Sequence, residues 1–522
     1  MKTWEQILED KKEREIEASG TWGQSFSISF NGEKNFGEIG SVVRYDLDHQ
    51  QLAYRSWQSY LTSNIAKTAL QKLSIWIIGK GLRLNSHPNE QILKANGINL
   101  NVEKFTQEVE ALWKIWAESN HSTLNGMQTF NELMHDCYLN SKIGGDVLQR
   151  LHVVNGELKV SITDSLHLHS LTSSNIFIDG IKIDRGVKVD VTGRHIEYSL
   201  LDVNQQYKTI PCFASNGLRI AFLVYGDKYR IEDTRGLPIS TTVLETIKKL
   251  DRYKEAAVGS AEERQKVVYA IEHQLGGSGE NPMADKLANL SEHLMGAFSE
   301  NKATSADSVG NKLAGEVAVS TNKQAFNLPQ GATMKALESR NELYFTDFYT
   351  GNKHEVYSTF MIPPNVAEGI YNDSFSASRA ATKDWEHTMD FGRNSFHKQS
   401  LNPTYMMFVY LKVLTGKLNA PGFLNAFNTG NWEVVEAYLS CRFTGDMFPH
   451  IDPVKEVTAE RLKLGELGKN IPLTTVESAT ENLMSGESSA NIRQFAREFE
   501  ETKKLKLVSP ENTANGQVKP VQ

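Results

Sequence analysis

Apolar positions recur every three or four residues in the first part of the chain and every second residue in the stretch that follows, so helices come first and strands after. Between residues 46 and 78, Leu61, Ile65, Ala69, Leu73 and Ile77 repeat at intervals of four. This predicts one long amphipathic helix, capped by Asp46 or Asp48 and stopped by Gly79 and Gly81. Two more amphipathic helices follow over Val102–Glu118 and about Thr129–Ile143, the second closed by Gly144-Gly145. From Asp146 to about Tyr229 the period falls to two. Leu158-Lys-Val-Ser-Ile162 and Val187-Lys-Val-Asp-Val191 alternate as half-buried strands do, and Thr192-Gly193-Arg194 marks a turn before Ile196–Leu201. The stretch reads as a β-rich module of hairpins.

Gly236-Leu237-Pro238 then opens a long helix to about Ala270, with Pro238 in its first turn and favourable charge pairs at Glu245/Lys249 and Glu262/Lys266. Gln274–Lys323 is polar and rich in Gly, Ser, Asn and Ala, the composition of a mobile insertion, with one short helix near Met283–Phe298. Phe326–Leu337 predicts a strand pair turning at Pro329-Gln330-Gly331. A helix over about Asn341–Phe360 is broken by Pro363-Pro364. Helices over Ser378–Lys398 and Pro403–Thr415, an aromatic segment 416–450 and three short helices within 455–505 complete the pattern. Residues 1–45 read as an arm and 508–522 as a disordered tail.

Composition narrows the function. The chain has 522 residues, room for two to four domains, and its formal net charge is −7. An acidic balance argues against a protein that reads DNA by gripping phosphates. It permits a conduit, in which tight phosphate contacts would act as a brake. Three scattered cysteines, Cys137, Cys212 and Cys441, form no CxxC pair, so neither a thiolate zinc site nor a disulfide framework is expected. No run approaches a membrane span, and the charged first twenty residues lack the apolar core of a signal peptide.

Candidate chemistry is sparse. GxxxxGK[ST], HExxH and GxSxG are missing, and no catalytic residue, metal site or cofactor is expected. His167 and His169 stand two apart with Asp164 nearby, but a metal asks for more ligands, and a polar strand edge explains them better. Gly79-Lys80-Gly81 looks like a piece of a phosphate loop. It ends a helix instead of opening one, so the dipole points the wrong way for an anion. Lys248, Lys249, Arg252 and Lys254 give the long helix a basic stripe, interleaved with Glu245, Asp251 and Glu255. It faces either DNA or a neighbouring subunit, or is simply a solvated helix face. Lys335, Glu338, Ser339 and Arg340 lie in a short link that either projects into a channel or starts the next helix.

The most informative stretch is Met361–Arg379, MIPPNVAEGIYNDSFSASR, taken with Asp452-Pro453-Val-Lys455-Glu456. Both resemble signature segments of the lambda-type phage portal family. Further blocks occur in the family's order. Arg44-Tyr45-Asp46 precedes the long helix and Ile78-Gly-Lys-Gly-Leu-Arg-Leu84. Gly186-Val-Lys188-Val-Asp-Val-Thr-Gly-Arg194 with Ile196-Glu-Tyr198 is similar to its hairpin. Val224-Tyr225, Arg235-Gly236-Leu-Pro238 and Leu250-Asp-Arg-Tyr253 follow. Phe375-Ser-Ala-Ser-Arg379 resembles the family's Tyr-Ser-Ser-Ala-Arg, with Trp385 placed like its following tryptophan. Phe375 for Tyr, Ala377 for Ser and the insertion at 274–323 depart from the pattern.

The resemblance implies an α+β, mainly helical portal fold. In it, 1–45 is an N-terminal arm, 46–126 the first part of a wing and 127–145 a stem helix. The β-rich region 146–232 includes the clip, with Lys188, Arg194 and His195, and 236–265 is the second stem helix. The wing continues over 266–334, the tunnel loop and helix occupy 335–360, a wing and helical region 361–454, and a crown 455–507. It implies a ring of twelve copies at one capsid vertex, through which double-stranded DNA passes without sequence readout. Partners would be the terminase large subunit, head–tail connector or adaptor proteins, and major capsid and scaffold proteins, with no membrane. The protein would belong to the virion, assembled in a bacterial host's cytoplasm. A DNA-packaging nuclease, with metal-binding carboxylates converging only in space, and a capsid or scaffold protein are the competing readings.

Overall fold

The computed structural model describes residues 26–30, 33–39, 46–169, 176–178, 181–201, 206–231, 233–266, 270–273, 332–335, 345–370, 375–446, 453–465, 472–483 and 488–504. The insertion 274–323 and the tail 508–522 lie outside them, as does most of the arm. They form two units: residues 1–249 with 351–522, and residues 250–350.

The larger unit begins with strands β1 (Phe26–Phe30), β2 (Glu33–Ile39) and β3 (Asp46–Leu47), paired in that order. The predicted long helix is in fact two, α1 (His49–Thr62) and α2 (Asn64–Ile77). Ser63 between them is extended, at φ −96° and ψ 121°. Thr62, Ser63 and Asn64 are weak helix formers whose polar groups bond locally, and the Thr62 hydroxyl donates to Gln58 O. The four-residue repeat therefore splits. Ile65, Ala69, Leu73 and Ile77 are buried in α2, whereas Leu61, on α1, is 76% exposed. Of the two candidate caps, Asp48 accepts from Gln51 N at 3.0 Å.

After β4 (Arg83–Ser86) come α3 (Glu90–Ala95), α4 (Val102–Ala117) and α5 (Phe130–Gly144). A reciprocal Thr129/Glu132 capping box starts α5. Trp113 of α4 is the hub of an aromatic core, with ring centroids 5.0–5.7 Å from Trp116, Phe130, Tyr405, Phe408 and Phe443.

The β-rich module is two sheets. In the first, β12 (Ala221–Tyr225), β5 (Asp146–Val154) and β6 (Glu157–Asp164) pair antiparallel. In the second, β7 (Ile176–Ile178), β8 (Ile181–Asp184), β9 (Val187–Val189), β10 (His195–Leu201) and β11 (Tyr207–Pro211) pair in sequence order. Val187, Val189, Tyr198, Leu200, Leu148 and Leu223 share one core cluster between the sheets.

Helix α6 (Leu244–Lys266) starts later and ends earlier than its sequence suggests. Pro238 to Val243 instead form successive turns, with Thr241 N donating to Pro238 O and Val243 N to Ser240 O. The β-branched and hydroxyl residues of Ile239-Ser-Thr-Thr-Val243 disfavour an extra helical turn. The helix crosses from the larger unit into the smaller one after Lys249. In the smaller unit, β13 (Ala270–His273) pairs with β14 (Ala332–Lys335). This replaces two expectations. Ala270 ends no helix, and the partner of 332–335 is a strand some sixty residues earlier, not a local hairpin; the anticipated turn at 329–331 lies outside the described residues.

The chain returns through α7 (Phe345–Thr359), α8 (Pro364–Glu368) and α9 (Phe375–Phe396). A π-helical turn, His397–Leu401, joins α9 to α10 (Asn402–Leu414), so two predicted helices form one rod. Pro403 removes one main-chain donor there, and a wide turn accommodates the gap. Gln399 on that turn accepts from Tyr225 N at 2.8 Å, capping the end of β12. Helices α11 (Phe423–Thr429) and α12 (Trp432–Leu439) lead to β15 (Cys441–Thr444), which pairs with β4. Helices α13 (Pro453–Leu464), α14 (Val476–Asn482) and α15 (Ser488–Lys504) end the described chain.

Candidate functional site

The most highly built polar constellation lies in the larger unit, just ahead of α6. Gly145 ends α5 and Asp146 opens β5, fully buried. The guanidinium of Arg235, itself buried, grips this carboxylate with two bonds, Nε to Oδ2 at 2.7 Å and Nη2 to Oδ1 at 2.9 Å. The same guanidinium donates to Arg185 O at 2.7 Å, Ser165 O at 3.0 Å and Leu168 O at 3.4 Å. Gly236 N adds a bond to Asp146 Oδ2 at 2.9 Å, and His49 Nε2 donates to Gly236 O. A Cβ on Gly236 would sit 2.0 Å from Gly145 O, so no other residue fits. Arg235 and Gly236 thus tie the start of α1, the α5–β5 junction, the 165–185 connections and the approach to α6.

Electrostatics follow from burial. Burial alone would raise the Asp146 pKa, but the Arg235 charge, the His49 ring and the direct hydrogen bonds overrule it and hold it low. Burial and the Arg235 charge push His49 down to about 3, so its ring stays neutral. The node is a clamp: a charge pair whose hydrogen-bonding capacity is filled by main chain.

The candidates from the β-rich module are engaged within it. Lys188 reaches Glu197 at 3.4 Å, and the Arg194 guanidinium lies 3.8 Å from the centre of the Phe213 ring. His195 bonds Tyr198 Oη at 2.9 Å and Tyr225 Oη at 3.4 Å; burial, then Lys228, brings its pKa to about 4. Lys248, Lys249, Arg252 and Lys254 are all exposed on α6. Lys248, Lys249 and Arg252 share a face, while Lys254 lies about 200° round from Arg252 at 100° per residue. Lys335 is the last residue of β14, paired with Ala270, whereas Glu338, Ser339 and Arg340 lie outside the described residues.

Among the motif residues, Arg235 and Gly236 form the node and Pro238 begins the turns before α6. Trp385 is fully buried in α9, and Arg379 is exposed on the same helix. Pro453 opens α13, with Lys455 exposed and Glu456 half-buried, while Asp452 lies outside the described residues. His167 ends a 3-10 turn that Asp164 caps through Leu166 N, so the two histidines do not share a strand face; Gln50 bonds the His169 ring. Sequence reasoning missed Asp146 and His49. Gly144-Gly145 ahead of Asp146 is a visible signal for a chain reversal, but nothing local marks the acid as the partner of an arginine 89 residues later.

A family model described as "Phage portal protein, lambda family" matches residues 41–391. No curated protein sequence matches the chain. Among solved structures, the chain is similar to one described as the neck of an empty gene transfer agent (GTA) particle computed with C6 symmetry. Identity is 10%, TM-score 0.44, and coverage 83% of this chain and 93% of that one. It is also similar to one from the virion of a native GTA particle, at 10% identity and TM-score 0.41, covering 90% and 98%. A third, the neck of a native GTA particle computed with C12 symmetry, has 11% identity and TM-score 0.36, covering 72% and 88%.

Proposed function

Because the chain belongs to the lambda family of phage portal proteins, we propose that twelve copies close into a ring around a channel at one capsid vertex. A portal serves the packaging and ejection of double-stranded DNA, and that is the function of this chain. The carrying observation is the family match over residues 41–391, which runs from before α1 into α9.

In this reading the stem comprises residues 127–145 and 236–265. The clip lies within 146–232, the tunnel loop at about 335–341 and the crown at 455–507. Closure needs complementary patches on opposite sides of each subunit, and the exposed face of α6, carrying both charge signs, suits a stem packed against identical neighbours. Edge strands of the β-rich module suit pairing with a neighbour's sheet. The terminase large subunit docks on the clip during packaging, and head–tail connector proteins take its place afterwards. Major capsid and scaffold proteins surround the ring during assembly in the bacterial cytoplasm. The role is non-enzymatic, because the hole and its lining do the work. Electron microscopy of the purified chain tests this. Top views should show closed rings with a hole at least about 20 Å wide, enough for a B-form duplex. Spirals or shell-like sheets would transfer the assignment to a capsid or scaffold role.

A further inference from the structure

The loop Gly79-Lys80-Gly81 has a setting that its sequence does not reveal. Its Lys80 and Gly81 line a cavity of about 1040 Å³ in the larger unit, bounded also by β4, α4, α9, β15 and α15. Six cations line this cleft: Lys80, Arg83, Lys114, Arg393, Arg442 and Arg497. Four carboxylates share it, Glu110, Glu118, Asp390 and Asp446. A chain of net charge −7 therefore carries a local positive excess here.

The carboxylates are partly committed. Glu110 accepts from Ser86 N at 2.9 Å, and Asp446 faces Arg83 at 3.3 Å. By contrast, Lys80, Lys114 and Arg497 have no hydrogen-bond or ion-pair partner for their side chains among the described residues. The sequence-level objection to an anion was the negative end of the preceding helix. In the structure that end is already covered. Arg393 donates from Nε to Ile77 O and from Nη2 to Trp76 O, both at 2.9 Å, placing a buried cation on the last carbonyls of α2. The loop itself is fixed. Gly81 adopts φ +106°, and a Cβ there would lie 2.5 Å from the Asn131 side chain, so Lys80 is carried into the cavity lining by a tightly packed turn.

We propose that this cleft binds phosphate groups of the duplex DNA backbone, with Lys80, Lys114 and Arg497, residues other than the channel-lining candidates, as the contacting cations. The choice of DNA as the phosphate source rests on the portal assignment. Contacts of point-charge type from lysines, joined by one guanidinium, suit backbone neutralisation without base readout.

The test uses the full chain, assembled as rings, and a covalently closed circular duplex that cannot thread a preformed ring. Binding is read by gel shift and by anisotropy of a labelled circle across 50–200 mM salt, a window in which phosphate contacts weaken strongly (roughly 50–200 mM). The wild type is expected to bind the circle. Lys80→Gln/Lys114→Gln/Arg497→Gln should bind at least about tenfold more weakly, with a log–log salt slope shallower by about 3 × 0.9. Lys67→Gln/Lys94→Gln, exposed on α2 and α3 and outside the cleft, should bind as the wild type does. Ring formation by microscopy, and melting, monitor folding of each variant; Lys80→Gln alone is the fallback if the triple variant fails to assemble, and it should lower the slope by about 0.9. Intact rings that ignore the circle, or that bind it equally with and without the three cations, overturn the proposal while leaving the portal assignment standing. Saturation by inorganic pyrophosphate without any binding of the circle overturns DNA as the phosphate source.

Discussion

Replacing Arg235 by methionine removes the cation of the node while nearly keeping its length. Asp146 would remain fully buried, holding only the Gly236 N–H bond at 2.9 Å and the His49 ring at 3.7 Å. Three carbonyls, of Ser165, Leu168 and Arg185, would lose their donor. Breaking a buried pair by removing one partner costs about 3–5 kcal/mol, mainly for the uncompensated charge left behind. Because the chain has two units, a single unfolding free energy is a poor readout, and local opening is a better one. A local loss of about 3 kcal/mol speeds amide exchange roughly 150-fold, at a factor of ten per ~1.4 kcal/mol. Hydrogen exchange followed by mass spectrometry on peptides covering β5 and β12 should show this, with peptides from α11 and α12 little changed. Arg235→Lys should fall between, since an ammonium cannot span both carboxylate oxygens and the carbonyls. Arg235→Met/Asp146→Leu should recover part of the loss, because no buried charge then remains. A change below about tenfold at β5 in Arg235→Met would refute the clamp, and so would a double variant worse than the single one.

Three further outcomes are expected. His49 is held neutral to about pH 3 when folded, whereas a free histidine takes a proton near 6.5, so the unfolded chain binds the extra proton and stability falls as pH drops from about 6.5 towards 3. The slope is about 1.4 kcal/mol per pH unit, and His49→Gln should flatten the difference in melting temperature between pH 7 and pH 5; an unchanged pH dependence would remove His49 as its source. Gly236→Ala places a Cβ 2.0 Å from Gly145 O and should leave little soluble, protease-resistant protein, whereas near-normal yield would mean that the α5–β5 turn yields easily. Lys335→Ala/Arg340→Ala should impair DNA packaging or retention with ring assembly intact; normal particles filled with DNA would end the tunnel-loop placement.

The sequence by itself determined what depends on neighbours in the chain. Periodicity located α4 and α5, because one face of each must enter a core, and glycines that tolerate a left-handed backbone marked the ends of α2 and α5. Alternation marked β6, β9 and β10, and the ordered motifs carried the family. Tertiary structure alone decided which distant segments meet. Strand β4 takes β15 as its partner across the length of the chain, and β13 takes β14 across the insertion. A strand's periodicity states that one face is buried, but not against what. The break at Ser63 was invisible to a four-residue repeat that continues through it, because only packing distinguishes a buried Ile65 from an exposed Leu61. The Arg235–Asp146 clamp was equally hidden. In the sequence these are two charged residues among 119, and only burial of both in one place turns them into a pair. Lys80 makes the same point. Its loop reads as a helix stop next to a negative helix end, until the fold lays Arg393 across that end and gathers five other cations around one cleft.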